Sequence, residues 1–446
     1  MTINDQDMQQ LIHDFRLEIQ QSPTILHAPL ANDYLQHLGR RLSNYAEDKE
    51  VHYAFYINQS NEINAFAGPG GTIVVNTALI LATKQEDELA AVLAHEIAHS
   101  EQKHWLKDIN RQKRMRVPMI ANVLAAIALG VVDPALSGGV LMGGLSGMAQ
   151  SNINYTRSHE EDADRIGMQI MSAAGYNPNG MINFFKQMQY DDQYHDMQYV
   201  PEILLTHPLD EVRLAEAQNR VEQLPISTRK RPATIDPNYF LFKEIIRVLG
   251  ATKPATLLPY YQNRLKHDPH NFIVQYGYAL TLMKLLQWQS AQAELVILLK
   301  RYPDNYYYRL AYAGSYLGLK QPEPALKILA KLESDYPDNL AILLDYSMAL
   351  IQLKHCALAE NKLKEALEDY PKNILLMDKL AQAQACNHET ARAYLTRAQG
   401  FIYMDEMRSA GIALQSAKNS VKNDPLLMAQ INAEMRVVKE KTRLKE

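Results

Sequence analysis

Cysteine is nearly absent from this chain. The 446 residues hold only Cys356 and Cys386, and neither stands near the histidine-rich segments that carry the candidate chemistry. That removes both as metal ligands. A bonded pair suits an oxidising compartment, and two buried free thiols are equally compatible with the sequence. An excess of positive charge is missing too: the net charge of -4 gives no basis for binding nucleic acid. A secretory leader is missing from Met1 onward, where Met-Thr-Ile-Asn-Asp-Gln-Asp has neither a basic n-region nor an apolar h-region. An uninterrupted membrane span is the last absence. Val117 to Met148 is apolar and follows a basic segment (Lys103, Lys107, Arg111, Lys113, Arg114, Arg116), the outline of a membrane hairpin. Asp133-Pro134 cuts it into pieces shorter than the ~20 residues a span needs. Gly138-Gly139 and Gly143-Gly144 loosen the second piece further. The stretch reads as a buried or mobile helical hairpin over a cleft, with peripheral membrane contact through 117–148 left open.

What is present begins with bulk. A hydrophobic content of 47% and a charged content of 22% describe a folded chain. Its length exceeds one ordinary core, so two domains are expected, 1–225 and 226–446. In the first, Gln9 to Gln20 and Asn32 to Asp48 read as helices and Val51 to Asn58 as a strand. Ala65 to Ala67 and Thr72 to Val75 read as strands joined by Gly68-Pro69-Gly70-Gly71. An exposed strand there offers an edge to an extended peptide, and a covered hairpin is the plainer alternative.

The run from Glu86 to Trp105 is strongly helical and contains His95-Glu96-Ile97-Ala98-His99. Residues four apart share a helix face, so both imidazoles can address one ion while Glu96 stands near enough to take a proton from water. Thr83 and Glu86 have capping-box spacing, and Leu89, Val92, Leu93 and Ile97 form an apolar stripe. A catalytic zinc also needs a third protein ligand and an open position. Gln102 and Trp105 exclude a third histidine at metzincin spacing. His159-Glu160-Glu161-Asp162-Ala163-Asp164 opens another helix, on which Glu160 and Asp164 share a face. Glu160 suits a metal ligand, and Asp164 suits a group that orients a ligand histidine. An acidic first turn favoured by the helix dipole is the plainer reading. His207, before Pro208, is expected to be extended or in a turn. Filling the fourth metal position, bonding a reacting carbonyl and being an ordinary loop histidine are all open to it. Arg213 is a weaker candidate for stabilising an oxyanion.

The second half repeats. Pro269, Pro303, Pro337 and Pro371 recur every 34 residues, each followed two residues later by Asn271, Asn305, Asn339 or Asn373. Ala279, Ala313, Ser347 and Ala381 keep that period, as do Ala291, Ala325, Ala359 and Ala393. This is tetratricopeptide spacing, in which small residues let paired helices approach. Asn238 to Asp268 reads as a degenerate first unit, and capping helices follow from Phe401. Cys356 begins one helix and Cys386 ends the next, positions compatible with a disulfide. Tyr306, Tyr307 and Tyr308 are candidate groove contacts or, more simply, repeat core.

His95-Glu96-x-x-His99 with Glu160-x-x-Ala163-Asp164 resembles the HtpX and CAAX-prenyl endopeptidase superfamily of gluzincins. Asn64 to Ile73 resembles that family's edge strand and turn. His207-Pro208 and the repeats resemble its branch of periplasmic β-barrel assembly-enhancing proteases. The resemblance implies one zinc ion per chain on His95, His99 and Glu160, with Glu96 as base and His207 as a further site residue. It implies a periplasmic location with a leader removed before Met1. It also implies chaperone-like and degradative roles toward unfolded or stalled outer-membrane proteins, with contact to the β-barrel assembly machinery through the repeats. The expected architecture is mainly α: a gluzincin-type metalloprotease domain with a small β-sheet, then an α-solenoid of tetratricopeptide repeats. The competing function is a non-catalytic repeat-based chaperone or scaffold with a silenced or structural zinc site.

Overall fold

The computed structural model describes residues 5–103, 149–194, 202–209, 211–234 and 236–445. Val117 to Met148, on which the hairpin and membrane-contact expectations fall, lies outside them. Among the described residues no helix is long and apolar enough to cross a membrane. The described residues are mainly helical with one small sheet, and the chain divides into two compact units, Met1–Thr252 and Lys253–Glu446.

In the first unit, helix α1 (Asp5–Gln21) buries Leu11, Phe15 and Ile19, which are four residues apart on one face. Helix α2 (Pro29–Ser43) follows. Strands β1 (Ala54–Asn58), β2 (Ala65–Gly68) and β3 (Thr72–Asn76) form a sheet of order β1-β3-β2. β1 runs parallel to β3, and β2 runs antiparallel to it, so β2 is an edge strand. Gly70 turns the hairpin at φ 67°, and a Cβ there would strike Ile12 of α1. Arg16 closes the contact, donating to Thr72 Oγ1 (3.0 Å) and to the Gly70 carbonyl (2.6 Å).

Helix α3 (Thr77–Ala82) leads into α4 (Glu86–Glu101). The expected capping box is not formed. Gln85 is the N-cap of α4 and makes no side-chain cap bond. The Thr83 hydroxyl turns instead to the Ile80 carbonyl and Tyr239, and Glu86 accepts from Tyr34. Nor is α4 merely striped: every residue from Glu86 to Ser100 is buried. Ala90, Ala91, Ala94 and Ala98 supply the close-packing faces that the Leu, Val and Ile positions do not. Helices α5 (Ala149–Ala173) and α6 (Asn179–Tyr194) pack on α4. Then come the short α7 (Glu202–Thr206) and α8 (Glu211–Gln223).

Helix α9 (Pro237–Gly250) packs on α2 and α3. Phe242 stacks on Tyr34 with ring centroids 4.6 Å apart, and the Lys243 ammonium caps the Thr83 carbonyl. These buried contacts explain why the units divide after Thr252 rather than at 225. Asn238 to Asp268 is accordingly not one helix pair, because its two helices fall in different units.

The second unit is a succession of antiparallel helices. After Leu257–His267 come the pairs Phe272–Lys284 with Trp288–Arg301, Tyr306–Gly318 with Pro322–Asp335, Leu340–Gln352 with Cys356–Asp369, and Ile374–Cys386 with Thr390–Tyr403. Met407–Ser420 and Pro425–Lys445 end the chain. The eight periodic small residues are all buried. The periodic asparagines are N-caps: Asn271, Asn305 and Asn339 each accept from the backbone N–H three residues on, and Asn373 accepts from Leu375 and Leu376. Cys356 and Cys386 are bonded to each other, with Cα atoms 5.7 Å apart. Tyr307 and Tyr308 are core residues, each 1% exposed.

Candidate metal centre and active site

Three stretches far apart in sequence converge. α4 carries His95, Glu96 and His99. α5 crosses it closely at Gly167, where a Cβ would stand 3.0 Å from the His95 backbone nitrogen. That approach brings Glu160, two turns earlier on α5, to the imidazoles. The bend after α7 brings His207, whose N–H bonds the Ile203 carbonyl at 2.7 Å. α7 is itself tied to the chain ahead of β2: Ile203 N–H donates to the Ile63 carbonyl (3.0 Å), and the Thr206 hydroxyl donates to Asn64 Oδ1 (3.3 Å).

The distances define a small ring of donors. His95 Nε2 and His99 Nε2 are 2.9 Å apart. Glu160 places Oε2 3.4 Å from His95 Nε2 and Oε1 3.3 Å from His99 Nε2. His207 Nδ1 lies 3.1 Å from each Glu160 oxygen and 3.4 Å from His95 Nε2. One ligand atom from each of these four residues lies within 4.8 Å of all the others. A carboxylate and three imidazole nitrogens aimed at one another form a donor set that a divalent cation satisfies.

Behind the ring, Asp164 Oδ1 is 3.0 Å from His95 Nδ1, which leaves Nε2 facing the other donors. Arg213 is buried, 3% exposed. It grips Asp164 with Nε and Nη2, each at 2.8 Å. Its Nη1 is 3.0 Å from Glu160 and donates to the Pro208 carbonyl at 2.8 Å. The guanidinium is thus committed to holding two carboxylates and the His207 turn. The oxyanion role considered for it does not fit that engagement.

The charges are arranged accordingly. Burial opposes charging of His95, but Asp164 and Glu160 outweigh it and raise that imidazole to about 10. Burial opposes charge on Glu160 as well, yet His207 and His99 hold it well below the usual carboxylate range. Asp164 is lowered in the same way by His95 and Arg213. His99 moves down, chiefly through burial, with neighbouring His95 adding to the effect. Two ionised carboxylates thus pull positive charge into a buried ring.

Glu96 is different. It is 1% exposed, and neither carboxylate oxygen has a hydrogen-bond partner among the described residues. His207 Nε2 stands 3.6 Å from its Oε1. A buried carboxylate without a partner is costly unless water, an ion or a substrate meets it. All six expected site residues, His95, Glu96, His99, Glu160, Asp164 and His207, therefore meet in one place. Gly167 and the anchoring function of Arg213 were not expected. A lone small residue on a helix and a lone arginine carry no signal until the partner helix is known.

Residues 29–221 match the model of Peptidase family M48. That match lies within the first unit and takes in all six site residues. The β-barrel assembly-enhancing protease of Yersinia pestis is 32% identical over 291 residues, covering 64% of this chain and 58% of that protein. Its counterpart in Escherichia coli (strain K12) is 32% identical over 292 residues, covering 63% and 57%. The mitochondrial metalloendopeptidase OMA1 of Bos taurus is 26% identical over 162 residues, 36% of this chain and 30% of that protein. The match therefore spans little more than half the length of the bacterial relatives. Family and relatives agree with the metalloendopeptidase class expected of the His-Glu-x-x-His helix. The donor ring suits the divalent metal that this class employs.

Proposed function

We propose that this chain is a zinc endopeptidase, restrained by His207, that acts in the assembly and quality control of outer-membrane β-barrel proteins and has chaperone-like activity. The buried Glu96 carboxylate, which has no hydrogen-bond partner among the described residues and stands beside the donor ring, carries the reading. A purely structural metal site has no use for a buried, unpartnered base. His95, His99 and Glu160 would hold the ion, with Asp164 fixing the His95 tautomer and Arg213 fixing both carboxylates. A bound zinc ion would supply Lewis-acid polarisation of the scissile carbonyl and make water more acidic. Glu96 takes the proton as the water oxygen bonds to the carbonyl carbon. The C–N bond then breaks, and Glu96 returns the proton to the leaving nitrogen.

His207 supplies the restraint. Its Nδ1 sits against Glu160, inside the ring, and its Nε2 faces Glu96. It thereby takes the position that catalysis needs open. The bacterial relatives' name, β-barrel assembly-enhancing protease, supports the client class, a periplasmic location is part of the same proposal, and the helical repeats suit protein partners such as the β-barrel assembly machinery.

The competing reading, a repeat-based chaperone or scaffold with a silenced or structural zinc site, draws on the same His207 contact. Casein and unfolded outer-membrane protein, each incubated with wild type and Glu96→Gln of equal zinc content, separate the two. The expected loss is about 10²–10⁴-fold, and equal turnover would remove Glu96 as the base. His207→Ala is expected to raise proteolysis; a fall would assign His207 to transition-state binding instead.

A further inference from the structure

Successive repeats close the same junction by different chemistry. Cys356 begins the second helix of one pair, Cys386 ends the first helix of the next, and their sulfurs are bonded. Two periods earlier the same places hold Trp288 and Gly318, and the Trp288 ring lies where a Cβ on Gly318 would stand. One period earlier they hold Pro322 and Gln352. There Gln352 Nε2 donates to the Leu317 carbonyl at 3.4 Å. Ring packing and a hydrogen bond thus seat this junction elsewhere, so the array's geometry does not call for a covalent bond.

The two ends of that bond also differ. Cys356 is 6% exposed and stands at the first position of the helix Cys356–Asp369, whose unpaired N–H groups favour negative charge. Glu360, one turn on, opposes such charge, but Lys364 (2.6 Å) and the Asn387 amide (3.1 Å) hold its carboxylate. Cys386 is half-buried, in the last turn of Ile374–Cys386, with exposed Ala385 and His388 flanking it along the chain. Its Sγ lies 3.7 Å from the Ile351 carbonyl, the periodic counterpart of the Leu317 carbonyl that Gln352 donates to. A thiol at Cys386 can donate to that oxygen, whereas a thiolate there is repelled by it.

We infer that Cys356–Cys386 is a directional thiol-exchange site, which reversibly captures a thiolate at Cys386 and releases Cys356. The incoming sulfur bonds Cys386 Sγ as the Cys356–Cys386 bond breaks, and the electron pair goes to Cys356 Sγ. The incoming thiol is oxidised to a mixed disulfide, and Cys356 is reduced to a thiolate. The helix N-terminus makes Cys356 the better leaving group, and attack falls on the sulfur that solvent reaches. Return attack by Cys356 on Cys386 expels the captured thiolate and restores the bond, so the cycle consumes no outside oxidant. The ligand class is a free thiol, carried by a small molecule or by an unfolded chain. The inference draws nothing from the peptidase reading, and loss of that reading leaves it standing.

The test uses the full, oxidised chain with two probes, glutathione and an unstructured peptide carrying a single cysteine. Each is added briefly, the reaction is quenched with N-ethylmaleimide, and mass spectrometry maps the adducts. The probe is expected on Cys386 and N-ethylmaleimide on Cys356, in at least about tenfold excess over the reverse arrangement. In urea, where the helix N-terminus and the Ile351 contact are lost, the excess is expected to vanish. An even split in the folded chain, or the probe chiefly on Cys356, overturns the inference. So does an excess that persists in urea, which would assign it to the flanking residues alone. Failure of both probes to react with the folded chain, under conditions where the unfolded chain reacts, overturns it as well. A peptide faster than glutathione per thiolate supports capture of polypeptide thiols, and the opposite order supports capture of small ones.

Discussion

The two units spend their polar residues in opposite ways. In the first, the decisive charges are buried and come from distant parts of the chain: Glu96 on α4, Glu160 and Asp164 on α5, His207 after α7, Arg213 on α8. In the second, polar groups act locally and repeatedly. Asparagine caps reach three residues ahead, and ion pairs such as Lys331–Asp335 sit on one helix face at 2.7 Å with the lysine side chain 63% exposed. The first unit thus concentrates free energy in a network whose members depend on one another. The second distributes it over near-identical interfaces that depend only on their neighbours.

The network should break most completely at Glu160. Glu160→Gln removes the carboxylate that faces both α4 imidazoles and His207. Zinc retained after dialysis, measured by mass spectrometry, is expected to fall from one per chain to background. Hydrogen exchange in the Tyr306–Gly318 helix should remain unchanged. Full zinc retention would mean that the three histidines suffice and Glu160 is no ligand.

Arg213 tests dependence within the network. Arg213→Met strands two buried carboxylates, which costs about 3–5 kcal/mol of stability and about 10–100-fold in metal affinity. The matched change in the other unit, Lys331→Met, removes an exposed pair worth less than about 1 kcal/mol. Denaturant titration of both variants checks the contrast. Similar losses would show the buried network to be no more coupled than the surface.

On the repeat side the half-buried Asp345 departs from this pattern of exposed charge. Burial lifts its carboxyl to about 7, only partly opposed by Lys379. A carboxyl raised in the folded state binds its proton more tightly there than in the unfolded chain. Its contribution therefore falls as pH rises from about 4, the unfolded value, to about 7, and stays low above that. Asp345→Asn should flatten the decline, with a gain on the order of 1–2 kcal/mol at pH 8 and no change at pH 4. Hydrogen exchange in Leu340–Gln352 at the two pH values reads it. An equal effect at both would assign it to packing.

The contrast also explains what could be read before the fold was known. The metal-type residues were legible because helical spacing fixes which side chains share a face, and His95, His99, Glu160 and Asp164 obey it. The repeats were legible because one interval recurs in several residue types at once. The capping box failed because Thr83 had a tertiary partner, Tyr239, that no local pattern announces. The boundary at 225 differed from the division at Thr252 because α9 is recruited by Tyr34 and Thr83, more than 150 residues upstream. Gly167 and Arg213 acquire meaning only when α5 is laid on α4 and α8 is brought behind it.

One periodic feature stayed hidden because its residue type varies. Leu286, Lys320, Lys354 and His388 stand 34 apart and all adopt positive φ, between 60° and 65°. Each ends the first helix of a pair. At Lys320 the following N–H, of Gln321, bonds back to the Tyr316 carbonyl at 2.9 Å, and the same bond recurs at Gln287, His355 and Glu389. This is the left-handed helix stop that glycine fills without steric cost. A Cβ there costs about 1–2 kcal/mol. Part of the gain from glycine is lost to its freer unfolded chain, about 0.4–1 kcal/mol. Lys320→Gly should therefore stabilise by only about 0.5 kcal/mol. The informative measurement is the sum. The four sites lie in separate repeats and share no partner, so the fourfold glycine variant should gain close to four times the single value. Paired changes at Arg213 and Asp164 should instead cost less than the sum of their separate effects. Strict additivity at both places, in denaturant titrations of single and combined variants, would erase the distinction between the units.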